Sequence, residues 1–147
     1  AEPANTSFEW ADQLRARLNE LRKSEGTTKA GEVLCHWTAY HEGDSLRALT
    51  EHIEPPDYPP RDHEYFFAAG ELRVFTSSGA NALTGPPRER GAYVLAIAFE
   101  PGGRVAASRK TVSGAAVAVE EFEATGARGR AEWLIGVIRQ ASSAKPR

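Results

Sequence analysis

The chain contains a single cysteine, Cys35, and no methionine. One cysteine excludes an internal disulfide and excludes zinc sites built from several thiolates. A lone thiol is compatible with oxidising and reducing surroundings alike. Lysine is scarce, present only at 23, 29, 110 and 145, so the basic charge is mostly arginine. No apolar run is long enough for a membrane-spanning helix, which needs about 18 residues or more. No sign of charge dominates either. A net charge of −2 gives no reason to expect nucleic acid as a partner. The motifs Gly-x-x-x-x-Gly-Lys-Ser/Thr, Gly-x-Gly-x-x-Gly after a strand, His-Glu-x-x-His and Gly-x-Ser-x-Gly are all missing. No cofactor is expected.

At 147 residues the chain fits one domain. A chain of this length buries about 68–70% of its extended surface, so it needs no metal or disulfide to fold. Residues 1–5 and 144–147 are expected to fray. The chain opens on Ala-Glu-Pro-Ala-Asn-Thr-Ser. That small, polar, proline-containing start is what removal of a signal peptide leaves, so a periplasmic or secreted location is expected.

Glu64-Tyr-Phe-Phe-Ala-Ala-Gly-Glu-Leu-Arg-Val-Phe75 predicts a β-hairpin with Ala69-Gly70 as its loop. Counting outward, Phe66 faces Arg73, Tyr65 faces Val74 and Glu64 faces Phe75. Alternation then puts Tyr65, Phe67, Leu72 and Val74 on one side, a core face. Glu64, Phe66, Arg73 and Phe75 fall on the other, with a diagonal Glu64–Arg73 pair. If that side is open, Phe66, Phe75 and Arg73 form a partner-binding surface. If helices cover both sides of the sheet, the aromatics are core.

Thr6-Ser7-Phe8-Glu9 fits a capping box, and Trp10, Leu14, Leu18 and Leu21 make one stripe of a helix reaching about Ser24, with Gly26 as its stop. Strands are predicted over Val33–His41 and Leu46–Ile53 about a turn at Gly43-Asp44. Prolines 55, 56, 59 and 60 form a rigid connection. Ala92–Phe99 reads as a central strand, with a Pro101-Gly102 turn and a return over Arg104–Thr111. Residues 115–123 fit strand and helix equally, and a last helix is expected from about Arg130 to Ser142. Together these predict an α+β domain. An antiparallel meander of five to seven strands packs against an N-terminal and a C-terminal helix.

Four histidines lie between positions 36 and 63. Counting from the Gly43-Asp44 tip sets Cys35 opposite His52, the minimal arrangement for an activated thiolate, with a buried inert Cys as the plainer reading. Clustered imidazoles are one way to hold a transition ion, but His36 and His41 are five apart and diverge from a flat strand, so no single strand supplies two ligands and no metal site is expected. Arg88, Arg90, Arg104, Arg109 and Lys110 form a basic cluster suited to an anion or an acidic partner. Glu120, Glu121 and Glu123 form an acidic patch.

The phrase Glu64–Phe75, and Ala98-Phe-Glu-Pro-Gly-Gly-Arg-Val105 as a second hairpin of the same style, resemble small exported bacterial antiparallel-meander proteins of unassigned function. The resemblance spans roughly residues 33–111. It implies an exported meander and no catalytic residue. The expected function is a non-enzymatic binding or accessory protein for a protein or cell-envelope partner, with inhibition as one form of that role. Its candidate contacts are Phe66, Phe75, Arg73, Arg88 and Arg90. The alternative is a small enzyme or small-molecule-binding domain with a cleft between sheet and helix.

Overall fold

The computed structural model describes residues 3–57, 59–80 and 92–143. Helix α1 (Pro3–Ala16) and a single 3₁₀ turn (Leu18–Glu20) lead into eight consecutive strands. These are β1 (Arg22–Ala30), β2 (Val33–Glu42), β3 (Ser45–Glu54), β4 (Arg61–Ala68), β5 (Glu71–Ala80), β6 (Ala92–Phe99), β7 (Val105–Val112) and β8 (Ala115–Val117). Helix α2 (Glu121–Ser143) closes the chain. Each strand pairs antiparallel with the next, in the order β1 to β8. The architecture is the expected α+β meander with a helix at each end, one strand larger than the upper expectation.

The two helices lie on opposite faces of the sheet. Phe8, Ala11, Leu14 and Leu18 pack on Ala48, Phe66, Val74, Ala96 and Ala98. On the other face Ala124, Ala127, Ala131, Leu134 and Ile138 of α2 pack on Leu49, Tyr65, Phe75, Ile97 and Phe99, among others. Both faces are therefore core, and Phe66 (0% exposed) and Phe75 (4%) are buried under different helices. They form no open binding surface.

Gly43, Gly70 and Gly102 all adopt positive φ at chain reversals, as expected. In the central hairpin Ala69 (φ 53°) and Gly70 (φ 79°) are both left-handed, the two-residue type I′ loop. The register then departs from a simple count. Phe67 pairs with Leu72, but Phe66 pairs with Val74 and Tyr65 with Phe75. Arg73 is the extra residue of a bulge. The same happens at Arg47 in the β2–β3 hairpin and at Ala106 in the β6–β7 hairpin. A bulge just past the turn adds twist and exchanges the faces of everything beyond it.

Three expectations need correction. The first helix ends at Ala16 and does not reach Ser24, and residues 22–30 form an edge strand. Gly26 is no helix stop. It lies under the Trp37 indole, where a Cβ would stand 2.3 Å from a ring carbon. The last helix begins at Glu121, well before Arg130. Its acidic first turn suits the dipole. Arg88, Arg90 and the loop between β5 and β6 lie outside the described residues. Among the described residues no helix is long and apolar enough to cross a membrane.

Candidate functional site

Cys35 and His52 point to opposite faces. The Arg47 bulge shifts the β2–β3 register by one, so Cys35 pairs with Ile53 and His36 with His52. The expected Cys–His pair is not formed. Cys35 instead donates to Glu51 Oε2 at 3.0 Å. Burial, reinforced by the Glu51 carboxylate, pushes its thiol up to about 12. At neutral pH it is a protonated, inert thiol.

Glu51 is the centre of a buried polar cluster that joins α2 to the sheet. Its side chain is fully enclosed, and its oxygens accept from four residues. Arg130 of α2 approaches with Nη2 at 3.0 Å and Nε at 3.2 and 3.3 Å. Tyr65 donates its hydroxyl, His63 Nδ1 lies at 2.9 Å, and Cys35 contributes its thiol. Burial alone would raise the carboxyl pKa. The bonds from His63, Arg130, Cys35 and Tyr65 overcome it and hold the group at about 2. Such a carboxylate has little proton affinity and no access, so it is a clamp rather than a general base.

The shift has a testable consequence. A carboxyl lowered from 4.5 to about 2 contributes stability fully above pH 4.5, and that contribution is lost as pH falls toward 2. It is on the order of 3 kcal/mol. Urea denaturation of wild type and Glu51→Gln across pH 2–6 should give curves that converge on the acid side. Parallel curves would show that Glu51 does not couple to folding.

The other helix is held by the same chemistry. Arg15 of α1 grips Glu64 with Nη2 at 2.7 Å and Nε at 2.9 Å, and Thr76 donates to the same carboxylate. Glu64 therefore pairs with Arg15 and not with Arg73, whose Nε donates to the Phe99 carbonyl at 3.0 Å. Neither Arg–Glu pair was visible in the sequence, because the partners stand 49 and 79 positions apart.

With the two clamps satisfied, the open features lie at the far edge of the sheet. β8 pairs only with Lys110–Val112, and no described strand covers the outer edge of β7 from Val105 to Arg109. Ser113 (φ 52°) and Gly114 (φ 83°) make a two-residue loop, so Val112 and Ala115 are the hydrogen-bonded closing pair. Ser113 N–H, consistently, bonds inward to the Ala92 carbonyl. Alternation then turns the Ser108 N–H and C=O outward. Beside this edge an open cleft of about 260 Å³ is lined by Ile97, Val105, Ser108, Val119, Glu120, Glu121 and Ala124. Phe122, on the first turn of α2, is 72% exposed. Of the acidic patch, Glu123 is engaged by Lys110 at 2.9 Å, whereas the Glu120 and Glu121 carboxylates have no basic partner among the described residues.

The opposite edge is built differently. β1 carries Arg22, Lys23, Glu25 and Lys29, the charged dressing that discourages strand addition. Val105-Ala-Ala-Ser108 carries none. Among the described residues no group of three or more His, Cys, Asp or Glu stands as a ready metal cage. No family model matches the chain, and neither a curated protein nor a solved structure is significantly similar to it.

Proposed function

We propose that this protein is a non-enzymatic binding or accessory protein that takes an extended segment of a partner protein onto the outer edge of β7. The observation that carries the reading is the unpaired, uncharged Val105–Ser108 edge beside an apolar cleft. A strand laid antiparallel to β7, in line with β8, meets the outward N–H and C=O of Ser108. Its alternate side chains reach the cleft between Val105, Val119 and Ala124. Glu120 and Glu121 line the same cleft and favour a lysine or arginine two residues along, on the same face of the added strand. The partner segment therefore presents an apolar and a basic side chain at i and i+2. The expected setting in the cell envelope or outside the cell is part of the same proposal. A buried, protonated Cys35 suits it, because it is protected from exchange. The enzyme alternative has less support, since among the described residues the titratable side chains lining this cleft are Glu120 and Glu121 alone.

A synthetic Val/Lys peptide with Val and Lys alternating along one face, Thr-Val-Thr-Lys-Thr-Val-Thr, tests this against labelled protein by NMR. Amide shifts are expected at Val105, Ser108, Val119 and Glu121. Ser108→Pro removes the outward N–H while leaving the β6–β7 ladder intact. It should abolish the shifts with the fold retained, and Glu120→Gln/Glu121→Gln should weaken them. Shifts confined to other residues, or unchanged in Ser108→Pro, would defeat the proposal.

A further inference from the structure

The Arg47 bulge that separates Cys35 from His52 brings His36 and His52 side by side on the face that α1 leaves open. Their ring centres are 6.4 Å apart. The Nε2 atoms of both turn toward one oxygen, Glu54 Oε2, at 3.1 Å from His36 and 3.8 Å from His52. The opposite ring nitrogens are held from behind. His52 Nδ1 lies 2.7 Å from Asp62 Oδ1, and His36 Nδ1 lies 3.3 Å from Thr27 Oγ1. Two imidazoles converging through Nε2, each oriented through Nδ1, is the arrangement metal-binding histidines adopt.

We propose that His36, His52 and Glu54 bind one divalent transition ion of the zinc or copper type, with Asp62 and Thr27 orienting the two imidazoles. Ligand bonds of about 2.0–2.2 Å in tetrahedral array set neighbouring donors about 3.3 Å apart. The two nitrogen–oxygen separations, 3.1 and 3.8 Å, bracket that value. The imidazole centres must close by about 1 Å to share an ion of that geometry. As the side chains stand, the group is not a ready cage. The three side chains are 42–47% exposed, so solvent-facing rotamers can close it. The fourth position stays open to water or to a donor from a partner. Imidazole and carboxylate together favour zinc and copper over magnesium or calcium. The site lies on the opposite face from Cys35 and the Glu51 cluster, and it is independent of the strand-addition proposal.

Isothermal titration of the full chain with zinc chloride and with copper chloride tests it. One ion per chain is expected. His36→Ala and His52→Ala should each weaken binding far more than tenfold, and Asp62→Asn about tenfold. His41→Ala, on the other face, should leave it unchanged. A second readout is copper broadening of imidazole NMR signals, expected at His36 and His52 and not at His63. Absence of heat with either ion, or equal binding by the His36→Ala/His52→Ala double variant, overturns the proposal. So does broadening centred on His63 or His41.

Discussion

Arg130→Leu is expected to destabilise the protein by about 3–5 kcal/mol, measured by urea denaturation at pH 7. The substitution removes the arginine that pairs with a carboxylate whose side chain is fully buried. Glu51 keeps Tyr65, His63 and Cys35 as donors, which places the loss toward the lower end of that range. Its charge, however, loses the partner that offsets desolvation. Arg130 also spans from α2 to the sheet and lies 4.4 Å from the centre of the Trp133 ring, so packing is lost with it. Two controls separate charge from packing. In Glu51→Gln/Arg130→Leu no buried charge is left, and the loss should fall short of the sum of the single variants. At lower pH the Arg130→Leu deficit should shrink, because Glu51 can then accept a proton. An additive double variant with a pH-independent deficit would mean that the pair is incidental.

Phe66→Ala should cost about 3–5 kcal/mol. The ring is fully buried between α1 and the sheet, within the cluster of Phe8, Leu14, Ala48, Val74 and Ala98. The Arg15 guanidinium stands 5.2 Å from its centroid. Truncation leaves a cavity that a sheet fixed by two neighbouring strands cannot collapse. An exposed binding aromatic would instead change stability by less than about 0.5 kcal/mol. The measurement therefore separates the two readings that the sequence allowed for this residue. A loss under 1 kcal/mol, on that scale, would remove α1 from the core.

The parts of the fold legible in the sequence were those with a strong local signal. Ala92–Phe99 is apolar throughout, and the reversals at Gly43, Gly70 and Gly102 need positive φ that glycine supplies. β1 was missed because Arg-Lys-Ser-Glu-Gly-Thr-Thr-Lys-Ala has no apolar alternation. An edge strand needs little of it, and its charges serve to block further pairing. The start of α2 was hidden by Gly126 and Gly129, which weaken a helical pattern without breaking it. Faces were lost wherever a bulge intervened. One inserted residue, Arg47, moved His52 from opposite Cys35 to opposite His36. Another, Arg73, sent Phe75 to the α2 side while Phe66 stayed on the α1 side. The Glu51 cluster had no sequence signal, since a lone Glu in a strand reads as solvent-facing. The only hint was its alternation with Leu49 and Ile53, which puts it on an apolar face.

The two clamps and the open edge belong together. Each helix is tied to its face by an Arg–Glu pair, so the centre of the sheet is covered on both faces. What this leaves for strand addition is lateral. Amide hydrogen exchange along β7, followed by NMR, is the most direct measurement of that state. Ala107, Arg109 and Thr111 turn toward β6 and should be protected, as should Lys110 and Val112 opposite β8. The Ser108 amide should exchange at close to the unprotected rate, and slow once the Val/Lys peptide is added. A Ser108 amide as protected in the free protein as that of Arg109 would mean that the edge is already covered.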